Sequence, residues 1–550
     1  MKDMAKPTPA KLILVAAILA VAAFAQSKSA DLCVPPLSGT APALPAHLMT
    51  GQGTEHVHLA ITTSNPQAQK FFDQGLAQLH SFWATESERS FLQAAALDPA
   101  APMPWWGVAM ISAGDYRPRH QIDQLAEAFG RDPRAQPARA KEAAERAIAL
   151  SQVPGKASDL EKLYIASIAA RRVPSAKDPN DAYIEGLRAV IAKYPKEVEA
   201  RTFLALHLMR GYELPDRTPR PSTMEAVAIL RQLLIDAPDH PGVHHYVIHA
   251  WEGSNFAKDA WPSCKRYAEL VTNIPHALHM PGHIYAQTNK FAEAEKSFSD
   301  AAENELGYMK ADALYGSGHH GHNVHYLSTS YAFDGQYEKA IQTARTLLEY
   351  KENPREAAQI DGNFTAYRQG WHALMRALVL AQAWDQILDG KSLPVYDRPR
   401  EQGWRHWAMG LAEAGKGNGT GAREQERQMD AVLKDYNAVA KTKPPVELVV
   451  ARQELEGHIL AVEGKYKQAM NELGTASLAQ RKVRYSEPPI YPRPVDEAIG
   501  EIALRANQFA DAETAFRLAL AQLPGSSRSV KGLAEASKHG NTKTSGAAQF

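Results

Sequence analysis

From about residue 67 onward, apolar residues recur every three or four positions, and Pro, Gly or Asp-Pro breaks the run every 15 to 20 residues. That pattern predicts a succession of amphipathic helices joined by tight turns. Sustained apolar–polar alternation is missing from the same region, so almost no sheet is expected. Residues 26–66 lack the helical period. They are rich in Pro, Gly, Ser and Thr, including Pro35-Pro36 and Gly51-Gln52-Gly53, and read as an extended leader with one extended segment at Glu55–Thr62. Two insertions, Glu213–Ser222 and Asn304–Gly321, interrupt the helical spacing and read as loops. Residues 536–550 read as a disordered tail.

The first residues carry a different pattern. Lys2, Lys6 and Lys11 precede an uncharged apolar run, Leu12–Phe24, and Ala23-Phe24-Ala25 offers a small-x-small cleavage site. This predicts a signal peptide over residues 1–25 and a secreted or periplasmic protein. The run is short for a membrane span, so none is expected once the signal is removed. Composition narrows the partners. The chain has 61 basic and 61 acidic side chains, without the basic excess that a nucleic-acid or membrane-surface binder usually shows. Two cysteines, Cys33 and Cys264, make no disulfide framework. Cys264 falls at an apolar position of a predicted helix and reads as a buried free thiol.

The helical punctuation repeats. Gly282, Tyr285, Ala294, Phe298 and Ala301 follow one another with the spacing of positions 8, 11, 20, 24 and 27 of a tetratricopeptide repeat, a helix pair of about 34 residues. Gly500, Ala512, Phe516, Ala519 and Pro524 match positions 8, 20, 24, 27 and 32, and Gly75, Phe91, Ala94 and Pro99 match 8, 24, 27 and 32. Tyr337 with Ala340 and Tyr466 with Ala469 mark two further repeats. Residues 67–535 therefore resemble the tetratricopeptide-repeat (TPR) superfamily. The resemblance implies an all-α fold, a right-handed superhelical solenoid of antiparallel helix pairs with a concave groove. It implies little about function, because such repeats host many roles.

The histidines carry the chemistry. Of 21 in the chain, eleven lie between His240 and His325. His245, His249 and Glu252 are spaced to share one helical face, as are His276, His279 and His283, and His322 with His325. His245 and His279 stand 34 residues apart, and so do His249 and His283. In the repeat frame His245, His279, His325 and His372 occupy position 5, His249 and His283 position 9, His276 and His322 position 2, Glu252 position 12 and His80 position 13. In the superfamily those positions face the groove, so the resemblance implies a ladder of imidazoles along it. His276, His244, His319, His320 and His372 rank below the others, and His319-His320 reads as a Gly-rich loop over the groove.

Imidazole suits Zn, Cu, Fe and Ni, and Glu252 adds an oxygen. Eight residues are the candidate metal ligands: His245, His249, Glu252, His276, His279, His283, His322 and His325. The expected cofactor is a transition metal (Cu, Fe or Zn), and enough ligands are present for two ions. A metal-dependent oxidoreductase or hydrolase acting on a small molecule is one function this allows. The alternative is a non-enzymatic scaffold whose groove holds a peptide or protein partner. Nucleotide-loop, zincin and serine-hydrolase motifs are missing from the sequence. The tryptophans read as packing residues.

Overall fold

The structure, a computed structural model, describes residues 46–113, 116, 136–172, 178–312, 315–352 and 365–545. The predicted signal segment and Cys33 lie outside these residues. Helices follow one another in hairpins: Pro66–His80 with Ala84–Leu97, Pro241–Trp251 with Trp261–Leu270, Pro275–Gln287 with Phe291–Ala311, Ser317–Asp334 with Tyr337–Leu347, and onward to Val495–Arg505 with Phe509–Gln522. Many begin on a proline in the first turn, where the missing N–H costs nothing; Pro66 follows Asn65, whose side chain caps Gln67.

Contacts inside each pair explain the repeat. A Cβ at Gly75 would lie 2.9 Å from the Phe91 ring, one at Gly282 2.7 Å from Phe298, and one at Gly500 2.7 Å from Phe516. Each aromatic stands sixteen residues after its glycine, so the pair closes only where one partner lacks a side chain. Gly107 and Gly532 receive the same two rings, Phe91 and Phe516, from the next helix. The turn inside the pair also recurs. Phe82, Asn289, Gly335, Gln382, Gly417, Gly464 and Asn507 all adopt positive φ at equivalent places. Asn and Gly tolerate that conformation; Phe82 (φ 52) is strained there.

The buried apolar residues form two large clusters. One runs from Val57 to Tyr315 and the other from Phe291 to Ile502. The expectation of almost no sheet holds among the described residues, where the only ladder pairs Tyr212–Glu213 with Thr218–Pro219. That hairpin occupies the Glu213–Ser222 insertion. The second insertion is not a loop, since helices Phe291–Ala311 and Ser317–Asp334 absorb most of it. The last helix runs Ser527–Ser545, into the stretch expected as a tail. Cys264 is buried as expected.

The leader is more than a tether. Val57, Leu59 and Ile61 are buried and alternate with exposed His58 and Ala60, so this segment lies extended on the first helices. Gln52 accepts from Gln78 Nε2 at 2.7 Å and donates to the Asn273 carbonyl at 2.8 Å. The leader thereby ties the N-terminal hairpin to the turn at Asn273. Arg89 meets Asp312 at 2.9 Å, Tyr315 bonds Glu86, and Trp83 stacks on Tyr315 with centroids 5.5 Å apart. From the other end, Tyr485 accepts from Gln287 at 2.6 Å and Arg376 reaches the Pro489 carbonyl. These segments close over the central helices.

Candidate metal centre

The closed stretch is where the histidines stand. Most are interior, not groove-lining as the repeat frame implied: His245 and His283 are 0% exposed and His279 2%, while His249 and His322 are part-buried. His245 and His249 come from helix Pro241–Trp251, His276, His279 and His283 from Pro275–Gln287, and His319 and His322 from Ser317–Asp334. Neighbouring rings lie close, with centroids 4.7 Å apart for His245–His249 and His276–His279, 4.8 Å for His279–His283, and 5.1 Å for both His279–His319 and His279–His322. Three overlapping triads result: His245–His249–His276, His276–His279–His319 and His279–His283–His322. Within each, one potential ligand atom per residue lies within 4.8 Å of the others.

The rings are oriented from behind. Nδ1 of His245 donates to the His80 carbonyl at 2.5 Å, and Nδ1 of His279 to Asn323 Oδ1 at 2.7 Å. Glu252 accepts from two rings, His249 at 3.0 Å and His283 at 2.5 Å, and Glu305 accepts from His319 at 2.5 Å. These acceptors fix the tautomer, which leaves Nε2 of His245, His249 and His279 as a lone pair. Those three Nε2 atoms are buried with no protein partner, and so are Nε2 of His283 and both nitrogens of His276.

Burial, followed by mutual repulsion among the imidazoles, holds His245, His276 and His279 well below the usual histidine range, so they are neutral at pH 7. His283 differs. Burial lowers it, but Glu487 and Glu252 outweigh that and raise it to about 10. Aromatic rings close the cluster. The strained Phe82 stacks on His249 at 5.4 Å and on His276 at 5.6 Å, and meets His245 edge-on at 4.6 Å. Trp83 packs beside His319. Tyr326 stacks on His283 at 5.0 Å. With Tyr485 it also lines a neighbouring cavity of about 250 Å³, whose wall holds Arg217, Arg481, Arg484 and Arg493.

The eight expected ligands divide accordingly. His245, His249, His276, His279, His283 and His322 are brought together. His325 is not: its Nε2 accepts from Arg376 at 3.2 Å. Glu252 stands behind the rings, bonded to two Nδ1 atoms, and groups with His283 and Glu487 rather than with the Nε2 atoms. His319 was underrated; it is helical and central. Its spacing to His322, the same as His276 to His279, is a signal that could have placed it. Glu305, Asn323, Glu487 and Phe82 carried no local signal.

The other histidines serve packing networks. His80 donates to Glu199 at 2.6 Å and lies 3.0 Å from the Tyr246 hydroxyl, while His240 donates to the same Glu199 at 2.9 Å and accepts from the Val243 amide. Every nitrogen of that pair is used. His372 sits 2.9 Å from Glu401, which Arg368 also holds at 2.6 Å. Burial presses His372 down to about 4, so Arg368 is the cation that counts at neutral pH. Burial would raise Glu401, but His372 and Arg368 bring it from 4.5 to about 2. A depressed carboxyl stabilises the fold above its unfolded pKa, and that contribution is lost as pH falls through the folded one. In urea, wild type should therefore outlast Glu401→Gln at pH 7, and the gap should close between about pH 4 and pH 2. A gap independent of pH would remove Glu401 from this role.

No protein-family model matches the chain, and neither does any curated protein. Solved helical-repeat structures do, at low identity. Ypp1 is 11% identical, covering 87% of this chain and 86% of its own, with a TM-score of 0.39. The human IFIT1 dimer with m7Gppp-AAAA is 11% identical, covering 90% and 93%, with a TM-score of 0.30. Cut9–Hcn1 of the APC/C is 13% identical, covering 85% and 90%, with a TM-score of 0.27. Likenesses this distant say nothing about activity. The repeated helix hairpin, with glycine at position 8 receiving the aromatic of position 24 and a left-handed turn between, identifies the chain as an all-α, TPR-like solenoid.

Proposed function

We propose that the protein is a solenoid whose closed centre holds a transition metal on histidine Nε2 atoms. The observation that carries this is the set of buried ring nitrogens with no protein partner, four of them on rings whose other nitrogen is already fixed. A buried polar atom left unbonded costs about 1–3 kcal/mol, and six of them rival the ~5–15 kcal/mol by which a whole domain is stable. A cation bound to these nitrogens, with release of the protons that some of them carry, removes the cost. An acceptor behind each metal-ligating imidazole is the usual arrangement, because it sets the tautomer and raises ring basicity. The donor set, imidazole without thiolate, suits Cu, Zn or Fe. Metal–nitrogen bonds of ~2.0–2.1 Å would draw each triad's ligand atoms closer together than the 4.8 Å within which they lie. The cavity beside Tyr326 gives a small molecule a place next to the centre, which keeps a metal-dependent reaction among the roles of the site.

The second reading, a scaffold for a peptide or protein, rests on the solenoid itself. The histidine stretch does not favour it, since the N-terminal hairpin and the Tyr485–Pro489 segment already occupy that part of the groove. Elemental analysis separates the two. Tag-free protein from its native compartment should carry near-stoichiometric metal, and the His279→Ala, His283→Ala double variant should lose it. Wild-type protein that contains none, and takes up no Zn, Cu or Fe in dialysis, would sink the metal reading.

A further inference from the structure

The triads overlap, and the overlaps differ in kind. His279 belongs to two of them, but Asn323 occupies its Nδ1, so it has one nitrogen to give and can serve only one ion. His283 is limited in the same way by Glu252. His276 also belongs to two triads, and both of its nitrogens are buried with no protein partner. It stands between the two groups. His245 lies 5.2 Å away edge-on from the preceding helix hairpin, and His279 lies 4.7 Å away on its own helix. The two nitrogens of one imidazole diverge, so they cannot turn to the same ion. If only one were used, the other would stay buried and unbonded at a cost of about 1–3 kcal/mol.

We propose that His276 bridges two metal ions, one held with His245 and His249 and the other with His279 and His319. This rests on the metal reading above. On loading, the His276 ring gives up its one N–H proton to solvent and becomes an imidazolate, whose two lone pairs bind the two ions. No electron changes hands. Phe82, stacked on His276 and His249, covers the bridge and excludes water from it.

The bridge has a magnetic signature that mere binding lacks. The purified full chain would be stripped, dialysed against Cu(II), assayed for copper, and measured by electron paramagnetic resonance. Two coppers per chain with integrated intensity well below two spins, and a half-field transition, are expected. In His276→Gln, which offers a single ligand atom, the remaining copper should recover its full spin count. His249→Ala, which strips the first triad and leaves His276 in place, should hold one copper at full intensity. Circular dichroism establishes that each variant is folded; if His276→Gln is not, His249→Ala carries the comparison. Two coppers at full intensity in wild type would overturn the bridge and leave the metal centre standing, as would a single copper. Coupling that survives His276→Gln would also overturn it. No copper at all would overturn the centre and the bridge together.

Discussion

Phe91→Ala should cost about 3–5 kcal/mol of stability, the range for emptying a buried aromatic site. The ring is wholly buried between Gly75 and Gly107, where added Cβ atoms would fall 2.9 Å and 2.4 Å from it. Neither glycine has a side chain to move into the hole. A solenoid is stabilised mainly between neighbouring repeats, so the loss should be local before it is global. Amide hydrogen exchange should speed up in Pro66–His80, Ala84–Leu97 and Met103–Ile111, and much less beyond residue 400. The functional consequence is specific. This hairpin carries Phe82 and Trp83, which lie on the histidines. Loosening it opens the cluster to water. Uniform exchange across the chain would refute the local account.

Removing Glu252 should weaken metal binding about 10–100-fold, the usual effect of losing an acceptor behind a ligating histidine. Glu252 sits at the upper end of that range because it fixes two rings, His249 and His283, with its two oxygens. Glu305→Ala frees only His319 and should cost less. Glu252→Gln keeps one acceptor oxygen and should fall between wild type and Glu252→Ala. Competition titration against a chelator gives the three affinities. An unchanged affinity in Glu252→Ala would show that ring orientation does not depend on this residue.

Much of this was legible in the sequence because it is local. A glycine and an aromatic sixteen residues apart meet inside one hairpin, so Gly282 and Phe298 announce their contact without knowledge of the rest of the fold. The shared faces of His245–His249 and His276–His279–His283 follow from helical period alone, and the 34-residue offset predicts that the faces align. His325 fits the same frame and was still misplaced. Equal repeat position fixes only which way a residue leaves its helix, and helix Ser317–Asp334 presents His325 to Arg376. The reading of His319-His320 as a loop failed because glycines in Gly316–Gly321 suggest a break, whereas the helix begins at Ser317 and buries both rings.

The sequence by itself determined the helices, their pairing, and which imidazoles lie on common faces. Only the tertiary structure decided that those faces are interior. That decision comes from contacts between segments far apart: His245 on the His80 carbonyl, Tyr315 on Glu86, Tyr485 on Gln287, Glu487 on His283. None of these has a period or a spacing, because each joins residues far apart in the chain, as much as 229 positions for Tyr315 and Glu86. Burial then turns His245 and His279 into neutral, oriented donors, since desolvation and a fixed Nδ1 partner act only once water is excluded.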